Sequence, residues 1–128
     1  MNKKIGVLLP FKDHFTYSKA GSASIWIKDF NKKSSYKKNI YVCGNTDNLK
    51  DLIEKKNYLN IKFSNSTFQS KNKLYIDEFI KLNLKHKFKL IEVHNRPSYI
   101  HRLIKKKINS KLVLIFHNNP LNLGGSKT

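Results

Sequence analysis

The chain alternates between short apolar runs and longer segments in which apolar residues recur at helical spacing. Continuous apolar runs of four to seven residues, bounded by charged residues or proline, are typical of strands buried on both faces of a parallel sheet. Four clear runs and one weaker run predict five strands. They lie at residues 4–10, 39–43, 60–63 (the weaker run), 88–94 and 111–117.

Most of these runs are followed by a segment in which apolar residues recur at the spacing of a helix. An amphipathic helix is predicted from Ser22 to about Lys33 and a longer one over residues 70–84. A third is predicted over 99–107, and Pro97 stands just before it, where the start of a helix tolerates proline. Their apolar faces are marked by Ala23, Trp26, Ile27 and Phe30, and by Tyr75, Ile76, Phe79, Ile80 and Leu82. A fourth, short helix is predicted with Asp47 as its cap and with Leu49, Leu52 and Ile53 on one face.

Strands and helices therefore alternate along the whole chain, with no linker and no repeat. The expected fold class is α/β, a Rossmann-like parallel sheet of about five or more strands with helices on both faces. A length of 128 residues fits a single domain, 1–128.

The net charge of +18 favours a polyanionic partner, which could be nucleic acid, an anionic membrane or a phosphorylated substrate. The lysines are spread along the chain beside many asparagines and isoleucines, which is also typical of an AT-rich genome. The net charge alone therefore does not identify the class of partner. Phe11, Phe15, Tyr17, Tyr75 and Phe79 do not form an exposed stacking series, several falling on helical core faces, so nucleic acid is not expected.

The single cysteine, Cys43, cannot form an internal disulfide, and a buried thiol in the cytoplasm is expected. No apolar stretch approaches the roughly 20 residues of a membrane span, so membrane contact, at the inner face, would be peripheral.

Ligands of open parallel sheets bind at the carboxyl ends of the strands. After the first strand, Gly21 and Ser22 place backbone N–H groups and a hydroxyl at the start of a helix, where a phosphate can bind. The same residues also suit an ordinary helix start, with glycine for backbone freedom and serine as the cap. Both interpretations stay open.

Two similar segments follow the last two clear strands, His94-Asn95-Arg96-Pro97 and His117-Asn118-Asn119-Pro120. Each puts an imidazole and an amide at the carboxyl edge of the sheet, which favours a site. His14 and His86 lack such support, and His101 is expected on a helix surface. Glu92, inside the strand before His94, is expected to form a structural salt bridge. No cysteine and histidine set has metal-ligand spacing, so no metal site is expected.

Together, the strand ending in Leu-Leu-Pro10, the loop Lys19-Ala-Gly-Ser-Ala-Ser24, and the segments 91–97 and 115–121 leading to Gly124-Gly-Ser-Lys-Thr128 resemble the N-terminal domain of family 4 glycosyltransferases. The resemblance spans the chain and is weakest over residues 47–87. It implies the N-terminal half of a GT-B fold, in which the C-terminal nucleotide-sugar-binding domain is absent from these residues.

The resemblance also implies a retaining, metal-independent enzyme with no cofactor beyond its nucleotide-sugar substrate. It would transfer a sugar to a glycan or lipid-linked acceptor in cell-envelope polysaccharide or lipopolysaccharide synthesis. By resemblance, Gly21 and Ser22 approach the donor phosphates and His117 lies by the donor sugar. His94, Asn95, Arg96 and Asn118 line the acceptor side.

Without the donor half, this chain is expected to be inactive alone. Two alternatives stay open. One is a non-catalytic basic module that binds RNA or anionic lipid, and the other is an inactive, truncated gene product.

Overall fold

A computed structural model describes residues 3–66 and 68–117 and shows an α/β fold. The strands are β1 (Ile5–Leu8), β2 (Ile40–Gly44), β3 (Tyr58–Asn60), β4 (Leu90–His94) and β5 (Lys111–Ile115). The helices are α1 (Ser22–Lys33), α2 (Lys71–His86) and α3 (Pro97–Lys105), and 3-10 turns lie at Lys37–Asn39 and Leu49–Asp51.

The five strands form one parallel sheet in the order β3-β2-β1-β4-β5. The central strand, β1, pairs with β2 on one side and β4 on the other, so that Val7 lies opposite both Val42 and Glu92. This arrangement confirms the predicted Rossmann-like parallel sheet.

Helices cover both faces of the sheet, also as predicted. Successive residues of β1 point to opposite faces. Val7 packs with Ile27 of α1, whereas Leu8 packs with Phe79 of α2 and Leu103 of α3. Two separate apolar clusters therefore hold the sheet between one helix and a pair of helices.

The segment that leaves β1 is held by two buried tyrosines. The Tyr75 hydroxyl donates to the carbonyl of Leu9 at 2.6 Å. The Tyr99 hydroxyl accepts from the backbone N–H of Phe11 at 3.1 Å and donates to Asn72 Oδ1. Burial raises the pKa of both phenols, so that they stay protonated and can donate.

The prediction of a short helix capped by Asp47 is wrong. The segment forms only the 3-10 turn Leu49–Asp51, and its cap is Asn48, whose side chain accepts from the N–H of Lys50 at 3.2 Å. Leu52 then forms an antiparallel bridge with Thr16, which pulls the chain out of helical geometry. Pairing with a distant loop overrides the local helical pattern here.

The third strand was predicted two residues too late, over 60–63. It runs from Tyr58 to Asn60 because Tyr58 aligns with Val42 and Asn60 with Gly44. The weak apolar run instead continues past the strand, where Ile61 is buried and Phe63 packs against Phe11.

The first helix buries Ala23, Ser24 and Ile27, but Phe30, predicted on the same face, is 41% exposed and stacks on Trp26. Cys43 is fully buried, as predicted, and burial raises the pKa of its thiol. Within the described residues, no helix is both long and apolar enough to cross a membrane.

We expect Tyr75→Phe to destabilise the fold by about 1–2 kcal/mol, because it removes a hydrogen bond to a buried carbonyl and leaves that carbonyl short of a partner. Urea denaturation measures the change. Tyr36→Phe, at an exposed tyrosine, is the matched control and should have no measurable effect. Equal stabilities of the two variants would contradict the role given to Tyr75.

Candidate functional site

The histidines at the carboxyl edge of the sheet are brought together by the register of two neighbouring strands. His94 is the last residue of β4 and lies opposite Ile115, the last residue of β5. His117 follows two residues later. The same edge contains the point beside β1 where strand order reverses, which is where open parallel sheets bind ligands.

The two imidazoles contact each other directly. Nδ1 of His94 lies 2.6 Å from Nε2 of His117, and the ring planes differ by 9° with centroids 4.8 Å apart. So short a nitrogen–nitrogen distance between nearly parallel rings means that they meet edge to edge through a hydrogen bond. The indole of Trp26 packs at an angle against both rings.

His94 also contacts Glu92, two residues earlier on the same face of β4. Oε1 of Glu92 lies 3.0 Å from Nε2 of His94. The partner of Glu92, predicted to form a salt bridge, is therefore a histidine, and the contact is a hydrogen bond that becomes a salt bridge only when His94 is protonated. His94 is fully buried, and a hydrogen-bond partner at each ring nitrogen is what a buried imidazole requires.

Asn95 connects three elements around this pair. Its backbone adopts the left-handed region, with a φ of 58°, which asparagine tolerates better than most residues. Its side-chain oxygen accepts from the backbone N–H of His117 at 2.8 Å, and its amide donates to Ser22 Oγ at 3.3 Å. Asn95 therefore joins the ends of β4 and β5 to the first residue of α1.

The other predicted residues of this edge are placed less centrally. Arg96 is half-buried, and its guanidinium donates to the carbonyl of Asn95 at 2.9 Å. Asn118 lies outside the described residues. His14 contacts Asp47, and His101 is exposed on α3, as expected.

The start of α1, where Gly21 and Ser22 were expected to bind a phosphate, is instead occupied by a side chain of the protein itself. The carboxylate of Asp13 accepts from the backbone N–H groups of Gly21 at 2.8 Å, Ala23 at 3.1 Å and Ser24 at 3.3 Å. It also accepts from the Ser24 hydroxyl at 2.6 Å. A buried carboxylate thus supplies the negative charge that the start of a helix favours.

This contact also explains the glycine. Gly21 has a φ of −85°, which any residue can adopt, so backbone freedom is not the reason for it. A Cβ atom at Gly21 would lie 2.8–2.9 Å from the Asp13 carboxylate. Glycine is therefore needed to let the carboxylate approach the helix. Asp13 was missed from the sequence because it lies eight residues before Gly21, far outside the usual spacing of a helix cap.

The environment of His117 favours its neutral form. Burial lowers its pKa, and the neighbouring His94 lowers it further, while the carboxylates of Asp13 and Glu92 act in the opposite direction. With a pKa below the ordinary value near 6.5, His117 is mostly neutral at pH 7. A neutral imidazole has one donor and one acceptor nitrogen, which suits hydroxyl groups.

Two further observations concern metal ligands and cavities. Across residues 3–66 and 68–117, no group of three or more His, Cys, Asp or Glu side chains is placed to bind a metal ion. A cavity of about 430 Å³ lies elsewhere, against β2, where Phe15, Asn31 and Ile40 line it. It shares no lining residue with the histidine cluster.

We expect Asp13→Asn to destabilise the protein by about 2 kcal/mol, because an amide carries no charge and can satisfy fewer of the four donors. Asp29→Asn, on the exposed face of α1, makes the same chemical change and should leave the urea midpoint unchanged.

Inorganic phosphate should not raise the Tm of the unaltered protein, since the Asp13 carboxylate already accepts from the N–H groups at the start of α1. Marked stabilisation by phosphate would show that an anion can displace it.

Comparison of the chain with protein-family models, with curated proteins and with solved structures found no match. The resemblance to family 4 glycosyltransferases therefore stays a prediction from the sequence.

Proposed function

We propose that this chain is the N-terminal, acceptor-side domain of a retaining GT-B glycosyltransferase. The enzyme would transfer a sugar from a nucleotide-sugar to a glycan or lipid-linked acceptor in cell-envelope polysaccharide or lipopolysaccharide synthesis. The observation that carries the proposal is the convergence of His94, His117 and Asn95 beside Ser22 at the switch point of the parallel sheet.

The chemistry of this cluster suits a sugar better than a phosphate. Imidazole, amide and hydroxyl groups can each donate or accept a hydrogen bond, as sugar hydroxyls do. The carboxylates of Asp13 and Glu92, whose charges act on His117, would repel an anion. We therefore propose that the sugar and the acceptor hydroxyl bind against this cluster of polar groups.

The donor diphosphate is then left to the other half of the enzyme. This revises the role expected of Gly21, which admits Asp13 to the start of α1 rather than a phosphate. Transfer needs groups from both walls of the cleft to position the substrates and stabilise charge. The chain alone is accordingly proposed to bind sugar weakly and to transfer none.

The test is His117→Ala in the enzyme that joins this chain to a nucleotide-sugar-binding half. We expect kcat/KM for sugar transfer to fall at least about tenfold, which corresponds to the loss of one hydrogen bond worth roughly 1.4 kcal/mol in the transition state. His101→Ala, at an exposed histidine of α3, is the control and should retain full activity.

Unchanged transfer and donor affinity in His117→Ala would overturn the assignment of the site. The rival function, a basic module for RNA or anionic lipid, predicts strong binding that weakens steeply with salt and does not depend on His117. Phe15, Tyr75 and Phe79 are buried, which leaves them unable to stack on RNA bases.

A further inference from the structure

We propose that Glu92 is a positioning residue that acts through His94. By fixing which nitrogen of each imidazole carries the proton, it leaves Nδ1 of His117 as an acceptor for a ligand hydroxyl. The hydroxyl ligand rests on the proposed function, whereas the proton arrangement does not.

The Glu92 carboxylate determines which nitrogen of His94 carries the proton. An ionised carboxylate can only accept hydrogen bonds, so Nε2 of His94, 3.0 Å from Glu92 Oε1, must carry a hydrogen. In a neutral imidazole the other nitrogen is then an acceptor. Nδ1 of His94 therefore has a lone pair that points at the second ring.

The proton on Nε2 of His94 in turn sets the direction of the 2.6 Å hydrogen bond between the two rings. Since Nδ1 of His94 accepts, Nε2 of His117 must donate. A neutral His117 is then left with a lone pair on Nδ1, and no hydrogen bond to that atom is formed by the residues described up to His117. The opposite polarity would need a proton on the Glu92 carboxyl group or a second proton on His94.

Burial makes this chain of hydrogen bonds rigid. His94 is fully buried and the side chain of Glu92 is only 17% exposed, so water competes poorly for either group. Trp26 packs against both imidazoles, and the Asn95 side chain holds the backbone of His117. The rings cannot turn over without breaking these contacts.

The arrangement also provides a path for a proton taken from the ligand. As the O–H bond of the ligand breaks and leaves its electron pair on the ligand oxygen, an N–H bond forms at Nδ1 of His117. The Nε2–H bond of His117 can then break as an N–H bond forms at Nδ1 of His94. The positive charge then lies on His94, beside the Glu92 carboxylate. The charged and titratable groups that act on His117 are Glu92 and His94 from β4 and Asp13 from the loop after β1.

The test uses the ¹⁵N-labelled chain and long-range ¹H–¹⁵N NMR, which reports the protonation of each imidazole nitrogen. At neutral pH we expect both His94 and His117 to carry their proton on Nε2. In Glu92→Gln the amide can donate as well as accept, so the two histidines should become mixtures of both tautomers.

A pH titration by the same method gives a second measurement. The Glu92 carboxylate raises the pKa of His117, so Glu92→Gln should lower its titration midpoint. Glu78→Gln removes an equal charge at the pair with Lys81 on α2 and is the matched control. It should leave both the tautomers and the midpoint of His117 unchanged, with exposed His101 as the internal reference.

Two results would overturn the proposal: a proton on Nδ1 of His117 in the unaltered chain, or equal effects of Glu92→Gln and Glu78→Gln. Folded ¹H–¹⁵N spectra of both variants would exclude loss of structure as the cause. The proposed function fails by a different measurement. Full transfer activity in His117→Ala would overturn the function, but it would not change the tautomers measured in the unaltered chain.

Discussion

The parallel pairing of β1 with both β2 and β4 is the constraint on which the rest of the structure depends. Because both partners run parallel to β1, the chain cannot join them by tight turns and must cross the faces of the sheet in helices. It leaves β1 through α1 on one face and returns to β4 through α2 on the other. The carboxyl end of β1 is therefore left open between the two crossings, and the polar cluster lies there.

The long segment between β1 and α1 is fixed by contacts within the protein. Tyr75 and Tyr99, from the helices of the opposite face, hold its first residues, and the Asp13 carboxylate holds its end against α1. The donors at the start of a helix, which in many nucleotide-binding folds take a phosphate, stabilise the loop here. The polar groups beside this helix start are then the Ser22 hydroxyl, the Asn95 side chain and the imidazoles of His94 and His117.

The histidine pair shows how a sheet can build a directional chain of hydrogen bonds. Glu92 and His94 share a face because side chains alternate along a strand, and the alignment of His94 with Ile115 brings His117 within reach. A buried imidazole with both nitrogens bonded keeps one orientation. The chain of hydrogen bonds runs from the Glu92 carboxylate through the buried His94 to the half-exposed His117. It determines whether Nδ1 of His117 is a donor or an acceptor for a ligand.

The sequence by itself determined the α/β class, four of the five strands, the three helices and the positions of His94 and His117 at strand ends. These features follow from apolar spacing and local chain-breaking residues, which act over a few positions. The sequence could not reveal that Asp13 fills the start of α1, that Glu92 pairs with His94, or that Leu52 bridges to Thr16 instead of entering a helix. Only the tertiary structure decided these, because strand register and the path of the loop after β1 set which polar groups meet across long stretches of chain.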